Sequence, residues 1–151
     1  MVKALAAAFA LAIAAPLCAA EFHAVAAPAV LYDAPSAKAK PLFVLGRDTP
    51  VELIVPLEGW SKVRDPGGTI GWIERKHLTE RRTLAVRVAL ADVRAAPDDA
   101  APVVFRAEQN VLLELAEPAS AATATANPGW VKVRHRDGQS GFVRVAQVFG
   151  L

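Results

Sequence analysis

Three histidines, His23, His77 and His135, are the readiest metal-binding and acid–base groups in the chain. A metal site needs such residues at a ligating spacing, H-x-H or H-E-x-x-H for example, so that two imidazoles converge on one ion. None of the three has a partner at that spacing. His135-Arg136-Asp137 spells the letters of a kinase catalytic loop, but no Gly-rich phosphate loop or lysine motif accompanies it, and Gly138 makes the segment a turn. Asp98-Asp99 is an adjacent acidic pair in a loop, where carboxylates are expected to be solvated, and no facing acid completes a hydrolytic pair. Ser36, Ser61, Ser120 and Ser140 sit in no nucleophile elbow. The single cysteine, Cys18, lies in an apolar leader. The expectation is a protein without catalytic residues, metal or cofactor.

A second kind of chemistry is recognition, and here the residues are richer. GWSKVRDPGGTIGWIERKHL runs from Gly59 to Leu78, and GWVKVRHRDGQSGFVRVAQV from Gly129 to Val148. The two stretches share seven identities in twenty without a gap, where unrelated segments would share about one or two. Flat rings beside cations can stack on a ligand and meet a carboxylate. Each copy of the phrase supplies both.

Strand parity decides where those groups point. In Trp130-Val131-Lys132-Val133-Arg134 the valines share one face, which is expected to be the core side. Trp130, Lys132 and Arg134 then share the other. Trp60, Lys62 and Arg64 follow the same logic, with Val63 inward. In the next strand Ile73 and Val143 are the core candidates, so Trp72 and Phe142 point away. The expectation is an outward aromatic pair per unit, Trp60 with Trp72 and Trp130 with Phe142, flanked by Lys62 and Arg64 or by Lys132 and Arg134. Tyr32 is a further candidate wall in the first unit; Arg94 stands at its place in the second. Two readings stay open: the rings line a ligand groove, or they cover the barrel and the contact between units beneath the Lys and Arg stems.

These faces require β units. Val51–Val55, Trp60–Arg64, Ile70–Ile73, Val111–Leu115, Trp130–Arg134 and Val143–Val145 read as strands. Asp65–Gly68 and His135–Gly138 read as hairpin turns, with Gly68 and Gly138 at positive φ. Gly71 and Gly141 precede the outward aromatics and would let another backbone approach closely. Upstream, Pro35, Phe43, Glu52 and Leu53 match Pro97, Phe105, Glu114 and Leu115 at an offset of 62; downstream the offset is 70. The second copy therefore carries eight extra residues before Gly129. Ala119–Ala126 reads as part of that lengthened loop, at a closure cost of roughly a few tenths of a kcal/mol. The units are 22–80 and 84–151, joined by Arg81-Arg82-Thr83, and so short a linker implies close packing.

Residues 1–20 read as a secretory signal peptide: basic Lys3, the apolar run Ala4–Leu17, then Cys18-Ala19-Ala20 with cleavage after Ala20. The run is shorter than the roughly 20 residues of a spanning helix, and Leu17 before the cysteine argues against lipidation. The expected mature chain is exported, to periplasm or extracellular space, with no stable membrane insertion and no disulfide. Without Lys3 it carries 16 basic and 15 acidic residues, which gives no electrostatic case for nucleic acid.

The phrase GW-x-KVR, a Gly-containing turn and G-[aromatic]-[aliphatic] resembles the bacterial SH3-like (SH3b) domain. Leu31-Tyr32-Asp33-Ala34-Pro35 and Val93-Arg94-Ala95-Ala96-Pro97 resemble its early strand, with the family's usual Asn absent from both. The resemblance implies an all-β chain of two tandem small SH3-like barrels, each of five or six strands. It also implies binding to peptidoglycan or an envelope peptide, or, as an alternative, an adapter role against an envelope protein such as an enzyme or secretion component. Cell-wall peptidases with such domains add a separate Cys–His domain, for which this sequence has no counterpart.

Overall fold

A computed structural model describes residues 20–118, 120 and 125–151. The leader, apart from Ala20, lies outside the described residues. The described residues are nearly all β, in two seven-stranded antiparallel sheets. The first comprises β1 (Glu21–Val25), β2 (Ala29–Tyr32), β3 (Pro41–Leu45), β4 (Pro50–Leu57), β5 (Trp60–Arg64), β6 (Ile70–Glu74) and β7 (Leu78–Thr79), in the order β3-β2-β6-β5-β4-β1-β7. The second comprises β8 (Thr83–Val86), β9 (Leu90–Arg94), β10 (Val103–Glu108), β11 (Leu112–Leu115), β12 (Trp130–Arg134), β13 (Ser140–Arg144) and β14 (Val148–Phe149), in the matching order β10-β9-β13-β12-β11-β8-β14. The strand count exceeds the expected five or six, partly because the two-residue strands β7 and β14 close back onto β1 and β8.

The duplication extends to the register. Glu52 faces Arg64 as Glu114 faces Arg134, and Tyr32 faces Trp72 as Arg94 faces Phe142. Each sheet wraps its own aliphatic core. Val25, Leu31, Val51, Val63 and Ile73 fill the first; Leu84, Val86, Val93, Leu113, Val133 and Val143 fill the second. All are fully or almost fully buried, and burial of each such side chain stabilises by about 1.5–3 kcal/mol. Val131, the second expected core valine of β12, is only partly buried against that core.

Gly71 and Gly141 hold the sheets together at one point. A Cβ on Gly71 would lie 2.6 Å from Leu31 Cγ and 2.9 Å from the Tyr32 carbonyl oxygen; on Gly141 it would lie 2.5 Å from the Arg94 carbonyl oxygen. Only a residue without a side chain lets β2 and β9 approach so closely. Gly68 and Gly138 adopt φ of 90° and 96° at the hairpin tips, which favours glycine.

Three expectations are corrected at the level of elements. The strand read as Val143–Val145 is Ser140–Arg144, and Val145 opens a single 3-10 turn, Val145–Gln147, that matches Arg75–His77 in the first unit. Thr83, read as linker, is the first residue of β8. Within 119–126, read as loop, residues 119 and 121–124 lie outside the described residues, and Thr125 and Ala126 are helical.

The two units touch closely. Thr83 Oγ1 donates to the Asp48 carbonyl (2.7 Å) and Arg82 Nη2 to the Gly150 carbonyl (3.0 Å). Phe22 meets Phe149 edge-on, centroids 5.3 Å apart, with the Arg82 guanidinium 6.0 Å from the Phe22 ring. Arg81 bridges Asp48 of one unit and Glu114 of the other.

Candidate functional site

Across the β5–β6 ladder Trp60 faces Glu74, Lys62 faces Trp72 and Arg64 faces Ile70. Alternation puts all six on the outer face, because Val63 and Ser61 of the same strand are buried within. β2 adds Tyr32 opposite Trp72. Tyr32, Trp72 and Lys62 therefore form one cross-strand row, with Trp60 and Glu74 beside it. The Lys62 ammonium lies 5.9 Å from the Trp72 centroid, a cation–π contact. Tyr32 packs edge-to-face with Trp60, centroids 5.6 Å apart at 82°. All three rings are half-buried. The neighbour of Trp60 is thus Tyr32; Trp72, its expected mate, lies on the diagonal.

Two of the expected cations separate by role. Arg64 donates to Glu52 at 2.6 Å and is tied to the sheet. Lys62 meets no carboxylate among the described residues, so its charge faces the aromatic row unneutralised. At the edge of the face, Glu74 accepts from Lys76 at 2.6 Å. That hydrogen bond, aided by the charges of Lys76 and His77, holds the Glu74 carboxyl below the ordinary glutamate value.

The second copy has the same plan with different occupancy. Trp130 faces Arg144, Lys132 faces Phe142 and Arg134 faces Ser140. Lys132 again stands 5.9 Å from the ring it faces, but it also donates to Glu117 at 2.8 Å. Arg94, in the place of Tyr32, donates to Asp92 (3.0 Å) and the Ala101 carbonyl (2.8 Å). The Arg144 guanidinium lies 4.2 Å from the Trp130 centroid and also pairs with Asp99. Trp130 is consequently only 7% exposed although it lies outside the hydrophobic core cluster. Parity sends this indole outward as expected, but Arg144 covers it, so it presents no open ring. Arg134 is exposed; Glu114, its cross-strand carboxylate, is engaged by Arg81.

Asp98-Asp99 is not simply solvated. Asp98 Oδ1 caps the Ala100 amide at 2.9 Å, and Asp99 is the clamp on Arg144. His135-Arg136-Asp137 is a turn device. The Gly138 and His135 amides close the hairpin, and the Asp137 carboxylate accepts from the Gln139 backbone N–H (3.0 Å), Gln139 Nε2 (2.8 Å) and His135 (3.0 Å). The Gln139 backbone bond is the main reason its carboxyl is lowered to about 2. Among the described residues no three His, Cys, Asp or Glu side chains cluster as for a metal ion, and no helix is long and apolar enough to cross a membrane.

Sequence reasoning missed Glu74 and Arg144 and read Asp99 as solvated, not as a partner of Arg144. The signal for the first two was present: counting outward from each hairpin tip puts residue 74 opposite 60 and residue 144 opposite 130. Asp99 needs the loop's path and has no such signal.

The family model described as "Bacterial SH3 domain" matches residues 25–80 and again 87–150. No curated protein matches. Solved structures similar to the chain include NlpC2 from Trichomonas vaginalis (14% identity, 87% of this chain and 48% of that one, TM-score 0.37). NlpC1 from the same organism is 15% identical over 95% of this chain and 50% of that one, with a TM-score of 0.39. An NlpC/P60 family protein from Bacillus cereus ATCC 10987 is 15% identical over 85% and 55%, with a TM-score of 0.38. The chain spans about half the length of these structures.

Proposed function

The chain belongs to the bacterial SH3 domain family, in two copies, and from that premise we propose an exported, non-enzymatic binding protein whose first copy recognises a peptide of the cell wall. The export step rests on the leader, 1–20, and the division into units 22–80 and 84–151 on the repeat. The observation that carries the reading is the contrast between copies. Tyr32, Trp60 and Trp72 form a half-open aromatic face on which Lys62 meets no carboxylate among the described residues, whereas Lys132 is paired and Trp130 is covered. Half-open rings offer flat apolar area at low entropy cost. A lysine without a carboxylate beside them suits the carboxylates in which peptidoglycan stem peptides end.

Sedimentation with purified peptidoglycan tests this. The unmodified chain is expected to co-sediment. Trp60→Ala with Trp72→Ala should weaken binding by at least about thirtyfold, the loss typical of a buried aromatic anchor, while Phe142→Ala leaves binding near its original level. Absence of co-sedimentation, or equal loss from both sets, sinks the proposal. A single dominant protein adduct on crosslinking in cells would instead support the adapter reading.

A further inference from the structure

We propose that the Trp60 face takes a positively charged group of its ligand, a guanidinium or ammonium stacked on the indole and met by Glu74. The inference rests on the reading that this face binds a peptide, and it adds the charge that peptide carries there. The second copy supplies the argument, because its equivalent place is already filled from within. The Arg144 guanidinium lies over Trp130 at 4.2 Å and pairs with Asp99. Indole, cation and carboxylate are therefore all supplied by the second unit itself, from β12, β13 and the loop after β9.

In the first copy no cation among the described residues stands over Trp60, and the carboxylate has moved. Glu74 stands opposite Trp60 where Arg144 stands opposite Trp130. The loops after β2 and β9 correspond residue for residue. Asp33 N–H donates to the Lys40 carbonyl and Ala39 N–H to Ser36, as Ala95 does to Pro102 and Ala101 to Asp98. At that correspondence Ala37 occupies the place of Asp99. The acid has thus left the loop and appears on the strand, where Arg144 would have been. A ligand cation entering over Trp60 would rebuild the three-part contact of the second copy. Lys76 now partners Glu74, but its side chain is 67% exposed, so it competes with an incoming cation from the solvent side. Lys62 lies diagonally across the ladder from Glu74, about 7–8 Å away by backbone geometry. A ligand bearing both a positive and a negative group could therefore meet both.

The probe is N-acetyl-arginine amide, with the neutral isostere N-acetyl-citrulline amide as control, titrated into the purified chain while the Trp indole N–H signals are followed by NMR. The arginine probe should shift the Trp60 signal saturably, at least about fivefold more tightly than citrulline. Glu74→Gln should weaken it and Lys76→Ala strengthen it several-fold. Arg144→Ala should let the probe reach Trp130 as well, a chemical rescue of the removed guanidinium. Equal response to both probes overturns the proposal, as does a silent Trp60 in the unmodified chain. That comparison decides by itself if Arg144→Ala fails to fold. Arginine binding without peptidoglycan co-sedimentation would remove the cell-wall reading and leave this one. Co-sedimentation unaffected by Glu74→Gln, with no preference for the arginine probe, would do the reverse.

Discussion

Trp60 and Trp130 begin equivalent strands, and one residue across the ladder decides their fate. Glu74 leaves the first indole half-open; Arg144 covers the second. Parity alone made the outward direction of both rings legible. What covers them depends on which residue of β6 or β13 lies opposite, which a count from the hairpin tip gives and parity alone does not. The same scale explains Asp137. Its carboxyl gains the Gln139 amide when the hairpin forms, so its pKa falls from 3.8 to about 2. A carboxyl lowered on folding stabilises the turn above the unfolded value and loses that contribution as pH falls through the folded one. NMR titration should therefore find Asp137 ionised down to about pH 2, with the Gln139 amide signal moving along the same curve. A midpoint at 3.8 would show that the turn hydrogen bond does not persist in solution.

Elements whose side chains alternate cleanly were legible: β5 and β12 have the bounds that Trp60–Arg64 and Trp130–Arg134 suggest, and the turns fall at Asp65–Gly68 and His135–Gly138. The edge strands β3 and β10 were not. Pro-Leu-Phe-Val-Leu in β3 has no polar alternation, since four of its five residues are exposed at the end of the sheet and a bulge shifts its register. The 3-10 turns Arg75–His77 and Val145–Gln147 were missed too, being single turns too short for a helical period. Gly71 was legible as a point of close approach, and the approach it allows is that of β2. Gly71→Ala must push β2 away, since its Cβ would meet both Leu31 and the Tyr32 backbone. The expected cost is about 1–3 kcal/mol, as for other overpacked sites, read as a lower urea midpoint. Displacement of Tyr32 should weaken ligand binding as well. A variant with unchanged midpoint and unchanged binding would mean that β2 yields without strain.

At the scale of the molecule, two units of this size are each marginal alone, because a domain of about 60 residues buries only about 60% of its unfolded surface. The brevity of the linker made close packing legible, but not its means. Thr83 is almost fully buried with its hydroxyl on Asp48 of the other unit, Phe149 meets Phe22, and Arg81 holds carboxylates from both sides. Arg81 also engages Glu114, the carboxylate that faces Arg134 across the ladder. Removing one buried hydrogen bond costs about 0.5–1.5 kcal/mol net, and truncating a ring adds about 3–5 kcal/mol where it is fully buried and less at this half-buried seam. Both losses fall on the contact between units rather than on either aliphatic core. Calorimetry of the unmodified chain should therefore give a single transition whose calorimetric and van't Hoff enthalpies agree. Thr83→Val with Phe149→Ala should separate it into two, the second unit melting first because Phe149 also belongs to β14. Two transitions in the unmodified chain would mean that the seam contacts couple nothing and that each barrel stands by its own core.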